Sequence, residues 1–208
     1  MAMGDGAIIN GGFEELTEDG SPAQWGKYGG ELSSTTDGVR SGARSARLTS
    51  STESTKWLYQ TVRVQGGASY AFDAWLRAGA GISDAWLRIS WYGSADGSGE
   101  ALATTDSTTN VDPSVGDWQR LTTDGVVAPL EALSAKLRVM LQPESASYAD
   151  LLVDDAWFGA ADPSAAPVAA GVASETANRS RPSARDSTRS ETRSEPRGAA
   201  STSVDRQI

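Results

Sequence analysis

Five aromatic side chains between residues 57 and 92 alternate with polar residues in short runs. If each run is a β-strand, residues two positions apart share a face. By that alternation the rings lie opposite the Leu, Ile, Val and Phe side chains of the same runs; they are Trp57, Tyr59, Trp75, Trp86 and Tyr92. An aromatic ring offers a flat apolar surface, and planar polar groups beside it offer directed hydrogen bonds. Such a face suits a ligand that has both apolar patches and hydroxyl groups.

Arginine and glutamine side chains lie on the same predicted strand face as these rings, both within the same runs and in a later run over residues 135–142. The predicted ligand-binding residues are Trp57, Tyr59, Trp75, Arg77, Trp86, Arg88, Tyr92, Arg138 and Gln142. A sugar ring has a C–H face that packs on Trp or Tyr and hydroxyl edges that hydrogen-bond to Arg and Gln. The residue types therefore favour a polysaccharide or glycan as the ligand. The alternative is that neighbouring loops cover several of the rings, which then only pack.

Three strands must position these side chains, over residues 57–64, 70–77 and 86–92. Each is a period-2 run rich in Val, Ile, Tyr, Phe and Trp, and glycine-containing turns at 66–67 and 79–84 separate them. The close spacing indicates an antiparallel arrangement. Further strand-like runs predict a short strand at residues 7–9, an edge strand within 101–111 and strands up to residue 158. Some eight to ten strands with little helix predict an all-β fold, a two-sheet antiparallel β-sandwich of the jelly-roll kind.

Composition excludes several functions. The 208 residues contain no His and no Cys, which removes Ser-His-Asp and Cys-His catalysis, disulfides and thiolate metal sites. The net charge of −9 argues against nucleic acid as a partner. No apolar stretch is long enough to span a bilayer, and no signal peptide is visible. A carboxylate-based glycosidase needs two facing acids, whereas adjacent strand residues such as Asp154 and Asp155 point apart. We therefore predict that the protein is not an enzyme.

The aromatic residues mark the domain boundaries, because every one lies between Phe13 and Phe158. Residues 1–160 are predicted to form the folded domain, and residues 161–170 an Ala/Pro linker. Residues 171–208 are rich in Arg, Ser and Glu with almost nothing to bury, which predicts a disordered tail. The tail is either simply solvated or a segment that docks on a neighbouring subunit.

An ordered set of short motifs runs through the folded domain. In sequence order these are NGGFE at 10–14, GSPAQW at 20–25, SGARSARL at 41–48, YQTV at 59–62, GASYAFDAW at 67–75, WQRL at 118–121 and VDD at 153–155. In this order the set resembles carbohydrate-binding modules of the family 4/9/22 type. The resemblance implies a β jelly roll and a non-catalytic carbohydrate-binding function.

The same resemblance implies a structural Ca²⁺ where the first and last strands meet. The residues that would ligate it are Glu14 with Asp154 and Asp155. Calcium takes hard oxygen ligands, and a cation would offset the cost of a buried carboxylate if one of the adjacent aspartates points inward. The alternative is that these carboxylates face water or cap turns.

Domains of this type also occur in phage tail and adhesion proteins and in bacterial surface proteins. A second hypothesis is therefore a structural or adhesion jelly roll of a phage virion or a bacterial surface assembly. Either hypothesis predicts an extracellular, virion-surface or cell-surface location. An open aromatic face would favour a glycan, whereas burial of that face against another chain would favour assembly.

Overall fold

The computed structural model describes residues 8–161, which contain eleven β-strands. The strands are β1 Gly26–Tyr28, β2 Glu31–Thr35, β3 Ser45–Ser50, β4 Lys56–Arg63, β5 Ser69–Ala78, β6 Ile82–Tyr92, β7 Ala103–Asp106, β8 Gln119–Thr122, β9 Val126–Val127, β10 Ser134–Pro143 and β11 Ala149–Ala160. In this part of the chain no helix is long or apolar enough to cross a membrane. The predicted tail, and the predicted linker beyond residue 161, lie outside the described residues.

The strands form two antiparallel sheets. One has five strands in the order β1-β4-β10-β6-β7, and the other has six, in which β2-β3-β11-β5-β8 are neighbours and β9 pairs with β5. The inner faces of both sheets meet in one core that includes Leu58, Phe72, Leu87, Leu137 and Val153. The prediction of an all-β, two-sheet antiparallel sandwich is confirmed.

The predicted alternation is confirmed throughout β4 and β5, and in β6 from Asp84 to Ile89. In β5 buried and partly buried residues follow one another without exception, with Tyr70, Phe72, Ala74 and Leu76 inward. The residues in between therefore lie on the outer face of the sheet. The predicted edge strand is present as β7, which pairs only with β6 at one end of the five-stranded sheet.

The three strands predicted within residues 57–92 do not pair with one another. Strands β4 and β6 both pair with β10, whereas β5 belongs to the other sheet. The two glycine-containing connections therefore cross between sheets instead of closing hairpins. Each of the three strands has one apolar face, and that pattern is satisfied equally by neighbours in a sheet and by strands that face each other across the core.

Residues 8–13 form a turn, so the strand predicted at residues 7–9 is absent from residues 8 and 9. Asn10 and Phe13 both have positive φ, at 56° and 57°. The Asn10 side-chain amide donates to the carbonyls of Glu15 and Ala23, which holds the turn closed. A Cβ on Gly11 would lie 2.1 Å from the carbonyl oxygen of Ala156, so this crossing over β11 requires glycine.

Candidate functional site

The outer face of the five-stranded sheet gathers most of the predicted ligand-binding residues. Trp57 and Tyr59 come from β4, Arg138 from β10, and three more from β6. Those three are Trp86, Arg88 and Tyr92. All occupy positions on the outer face of the sheet. Strand pairing therefore brings together side chains that are up to 81 positions apart in sequence.

An apolar row crosses this face from one strand to the next. The registers place Tyr28 beside Trp57, Trp57 beside Met140, and Met140 beside Trp86. The rings of Tyr28 and Trp57 are stacked, with centroids 4.0 Å apart and planes 10° apart. Tyr28 is 58% exposed. Three strand spacings of about 4.8 Å give the row a length of ~14 Å, enough to contact more than one ring of a glycan chain.

A polar row lies next to the apolar one, two residues along each strand. It places Tyr59 beside Arg138, Arg138 beside Arg88, and Arg88 beside Asp106. Arg88 donates from Nε and Nη2 to the two carboxylate oxygens of Asp106, at 2.6 and 2.7 Å. This paired hydrogen bond raises the pKa of Arg88 and neutralises its charge locally.

Arg138 is fixed at the centre of the face. Its Nη1 donates to the hydroxyl of Ser90 at 2.7 Å, and its Nη2 donates to the hydroxyl of Tyr92 at 2.8 Å. Its Cζ lies 5.6 Å from the centroid of the Trp57 ring. Tyr92 is only 5% exposed, so it supports Arg138 from below instead of offering its ring as a surface.

Between these rows is a cavity of about 170 Å³. It is lined by Lys27, Tyr28, Trp57, Tyr59, Lys136 and Arg138. The cavity is smaller than pockets that enclose drug-sized ligands, ~300–1,000 Å³, and therefore suits part of an extended ligand. Gly26 makes room for one wall, because a Cβ there would lie 2.8 Å from Cζ of Tyr59. The Tyr59 ring thus packs over the backbone of the edge strand β1.

Gln142 lies on the same sheet but its amide is already occupied. Its Oε1 accepts from the Thr55 hydroxyl, and its Nε2 donates to the carbonyls of Glu53 and Pro143. These bonds connect the end of β10 to the segment before β4. In this structure Gln142 therefore holds a loop in place at the end of the face.

Trp75 and Arg77 do not join the other candidates, because β5 belongs to the six-stranded sheet. The guanidinium of Arg40 covers Trp75, with Cζ 3.9 Å from the ring centroid. Arg77 lines a separate cavity of about 230 Å³, together with the ion pair of Arg47 and Asp150. This cavity is larger than the cleft on the five-stranded sheet, but no aromatic ring lines it.

The three predicted calcium ligands lie near the loop over residues 40–44 and are engaged by hydrogen-bond donors. Asp154 accepts from the backbone N–H groups of Arg40, Ser41 and Asp155. Asp155 accepts from the side chains of Arg40 and Ser41. Glu14 accepts from the N–H groups of residues 43 and 44. Within residues 8–161 no three acidic side chains converge as metal ligands.

Asp154 is fully buried, but not because it points into the core. It pairs with outward-facing Trp75, and the loop over residues 40–44 covers it from outside. Burial raises the pKa of Asp154, and the backbone N–H donors partly oppose that effect. Each of the three carboxylates is already engaged by hydrogen-bond donors, including the Arg40 cation beside Asp155, and this set of contacts does not fit Ca²⁺. Calcium stays a prediction from the resemblance.

Three residues of the cleft were missed by the sequence reasoning: Lys27, Tyr28 and Lys136. Lys136 has the same parity as Arg138, and that signal was available in the alternation of residues 135–142. Tyr28 lies in a three-residue strand between glycine-rich turns, too short for alternation to assign a face. Only its pairing with Trp57 identifies it.

The fold and this face define a β-sandwich module with an exposed aromatic and polar sheet surface. The family model CBM_4_9, described as a carbohydrate binding domain, matches residues 5–146. The chain therefore belongs to this family of carbohydrate-binding modules. Comparison with curated protein sequences finds no match.

Solved structures with the same fold include two carbohydrate-binding modules. The CBM22-1 xylan-binding domain of Paenibacillus barcinonensis Xyn10C is 19% identical, with a TM-score of 0.54 over 78% of this chain and 99% of that one. The C-terminal family 22 module of Clostridium thermocellum Xyn10B is 16% identical, with a TM-score of 0.50 over 74% and 96%.

A third similar structure is tailspike protein 4 of bacteriophage CBA120, in its enzymatically active domain. It is 14% identical, with a TM-score of 0.55 over 74% of this chain. This chain spans only 21% of that one. At these identities the likeness to all three structures is one of fold alone.

Proposed function

We propose that the protein binds a polysaccharide on the outer face of its five-stranded sheet, by packing sugar rings against aromatic side chains, and that it does so without catalysis. The observation that carries this proposal is the apolar row that begins with the stacked rings of Tyr28 and Trp57. The polar row through Arg138 runs beside it, two residues further along each strand, and offers hydrogen bonds to ring hydroxyl groups. Family membership supplies the ligand class.

The expected affinity is modest. Two or three sugar rings contact a shallow face, and much of the contact free energy offsets the ordering of a flexible chain. We expect dissociation constants on the order of micromolar to millimolar. A polysaccharide ligand is in accord with a location outside the cell or on a cell or virion surface.

Affinity electrophoresis against plant, fungal and bacterial polysaccharides tests the proposal. We expect Trp57→Ala to weaken binding about tenfold or more, because truncation of a central aromatic residue commonly costs about 2 kcal/mol. Trp157→Ala is the matched control, since Trp157 is 48% exposed on the six-stranded sheet. Binding that is absent for the wild type, or equally weakened by both variants, would contradict the proposal.

The structural or adhesion alternative stays a prediction. The tailspike likeness is confined to fold, and the predicted docking tail lies outside the described residues.

A further inference from the structure

The five-stranded sheet is cationic although the protein is acidic. Its strands carry six Lys or Arg residues and two Asp residues. The strands of the six-stranded sheet carry three Arg residues and five acidic ones. The chain as a whole has a net charge of −9. Positive charge is therefore concentrated on the sheet that presents the cleft.

The positive charges that line the cleft have no carboxylate partner among residues 8–161. The cleft contains Lys27, Lys136 and Arg138 and no acidic residue. Of the two aspartates on this sheet, Asp106 is paired with Arg88, and Asp84 accepts from the Asn110 amide. The ion pairs formed within residues 8–161 involve other cations, namely Arg40, Arg47, Arg88 and Arg120.

The one acidic side chain of the nearby loop over residues 93–99, Asp96, also has another partner. The loop over residues 93–99 approaches Lys136, because a Cβ on Gly97 would lie 2.9 Å from its Cε. The carboxylate of Asp96 in this loop accepts from the backbone N–H of Ser98. It makes no ion pair with Lys136 in the described part of the chain.

Two of the cleft cations retain unused hydrogen-bonding capacity. The Nε of Arg138 is buried and has no hydrogen-bond acceptor among the described residues. The Nζ of Lys136 lies 5.0 Å from the ring centroid of Tyr92 and 6.0 Å from that of Tyr59. These two side chains are two residues apart on one strand face, or about 7 Å. Neighbouring like charges in a partly buried site raise the free energy of the empty cleft, and a bound anion lowers it.

We infer that the ligand is an acidic polysaccharide whose sugar carboxylate binds between Lys136 and Arg138. This inference rests on the proposed function and specifies its substrate class. Each Nη of Arg138 carries a second N–H beside the one that donates to Ser90 or Tyr92, and these N–H groups can donate to a carboxylate. The ammonium of Lys136 adds a second positive charge. Stacking on the apolar row contacts the sugar rings, while the cations select polymers of hexuronic acids over neutral ones.

Pairs of polymers that differ only in the carboxylate test the inference. Polygalacturonate, alginate and hyaluronan are each compared with the same polymer after its carboxyl groups are reduced to hydroxymethyl groups, by titration calorimetry with the full chain. We expect at least one polyuronate to bind about tenfold or more tightly than its reduced form. Raising the salt from about 0.05 to about 0.5 M should weaken the polyuronate but leave the reduced polymer nearly unchanged.

Lys136→Gln removes one charge while keeping a long polar side chain. We expect it to lower the ratio of the affinity for the polyuronate to the affinity for the reduced polymer about tenfold. The control is Arg120→Gln, on the six-stranded sheet, which should change neither. A protein that only attracts polyanions would bind dextran sulfate as tightly as the polyuronate, and that result would overturn the inference.

The two proposals fail in distinguishable ways. If a neutral or reduced polymer binds as tightly as the polyuronate, the proposed substrate class is wrong. If Trp57→Ala also weakens the binding of that polymer, the proposed polysaccharide site still stands. If neither charged nor neutral polymers bind, or if Trp57→Ala has no effect, the site itself is wrong.

Discussion

Replacing Gly26 by alanine should weaken polysaccharide binding without unfolding the protein. A Cβ at this position would lie 2.8 Å from Cζ, 2.9 Å from Cε1 and 3.0 Å from the hydroxyl oxygen of Tyr59. Carbon atoms in contact prefer about 3.5–4.0 Å, so the ring must move by roughly 0.5–1 Å. Because Tyr59 forms one wall of the cleft, that movement changes the surface offered to a sugar ring.

The cost to folding should be small. Gly26 does not have positive φ, so alanine introduces no backbone strain there. Reduced flexibility of the unfolded chain contributes about 0.4–1 kcal/mol of stability, and displacement of the partly buried ring costs about 1–3 kcal/mol. The net loss is within a few kcal/mol on an edge strand of three residues. We therefore expect a folded variant whose affinity for the bound polysaccharide falls about tenfold.

Titration calorimetry and thermal unfolding measure the two effects separately. Gly116→Ala is the matched control, since a Cβ there meets no atom within 4 Å. A double-mutant cycle with Tyr59→Ala identifies the cause, because neighbouring residues couple and distant ones do not. If Gly26→Ala lowers affinity equally with and without the Tyr59 ring, or does not lower it at all, the steric reasoning is refuted.

Three further predictions concern stability. Arg138→Leu should destabilise the fold by about 1–3 kcal/mol in urea unfolding, because the buried hydroxyls of Ser90 and Tyr92 lose their hydrogen-bond donor; an unchanged midpoint would contradict this. The raised pKa of Asp154 means that the folded state takes up a proton before the unfolded state does, so this group adds stability as pH falls from above its folded pKa towards 3.8. The stability of the wild type relative to Asp154→Asn should therefore increase over that interval, and a decrease would show that the N–H donors outweigh burial. EDTA should leave the thermal midpoint unchanged if hydrogen-bond donors alone satisfy the three carboxylates near the 40–44 loop, whereas a lower midpoint would demonstrate a bound metal ion.

The sequence alone determined the fold class and which face of each strand is buried. Alternation fixes the side of a strand on which each residue lies, because the side-chain period is two regardless of the neighbouring strands. Alternation alone separates Leu87, Ile89 and Trp91 on one face of β6 from Trp86 and Arg88 on the other, whichever strands pair with it. Motif order likewise indicated the family that matches residues 5–146.

Tertiary structure decided which outer faces coincide. Alternation says nothing about sheet membership, so Trp75 and Trp86 had equivalent patterns yet lie on different sheets. It also cannot assign a short edge strand, and Tyr28 entered the site only through its register with Trp57. The burial of Asp154 depends on the loop over residues 40–44, and Arg40 in that loop is 114 positions from Asp154 in the sequence. Contacts between segments so distant are set by strand order and packing, which local periodicity does not encode.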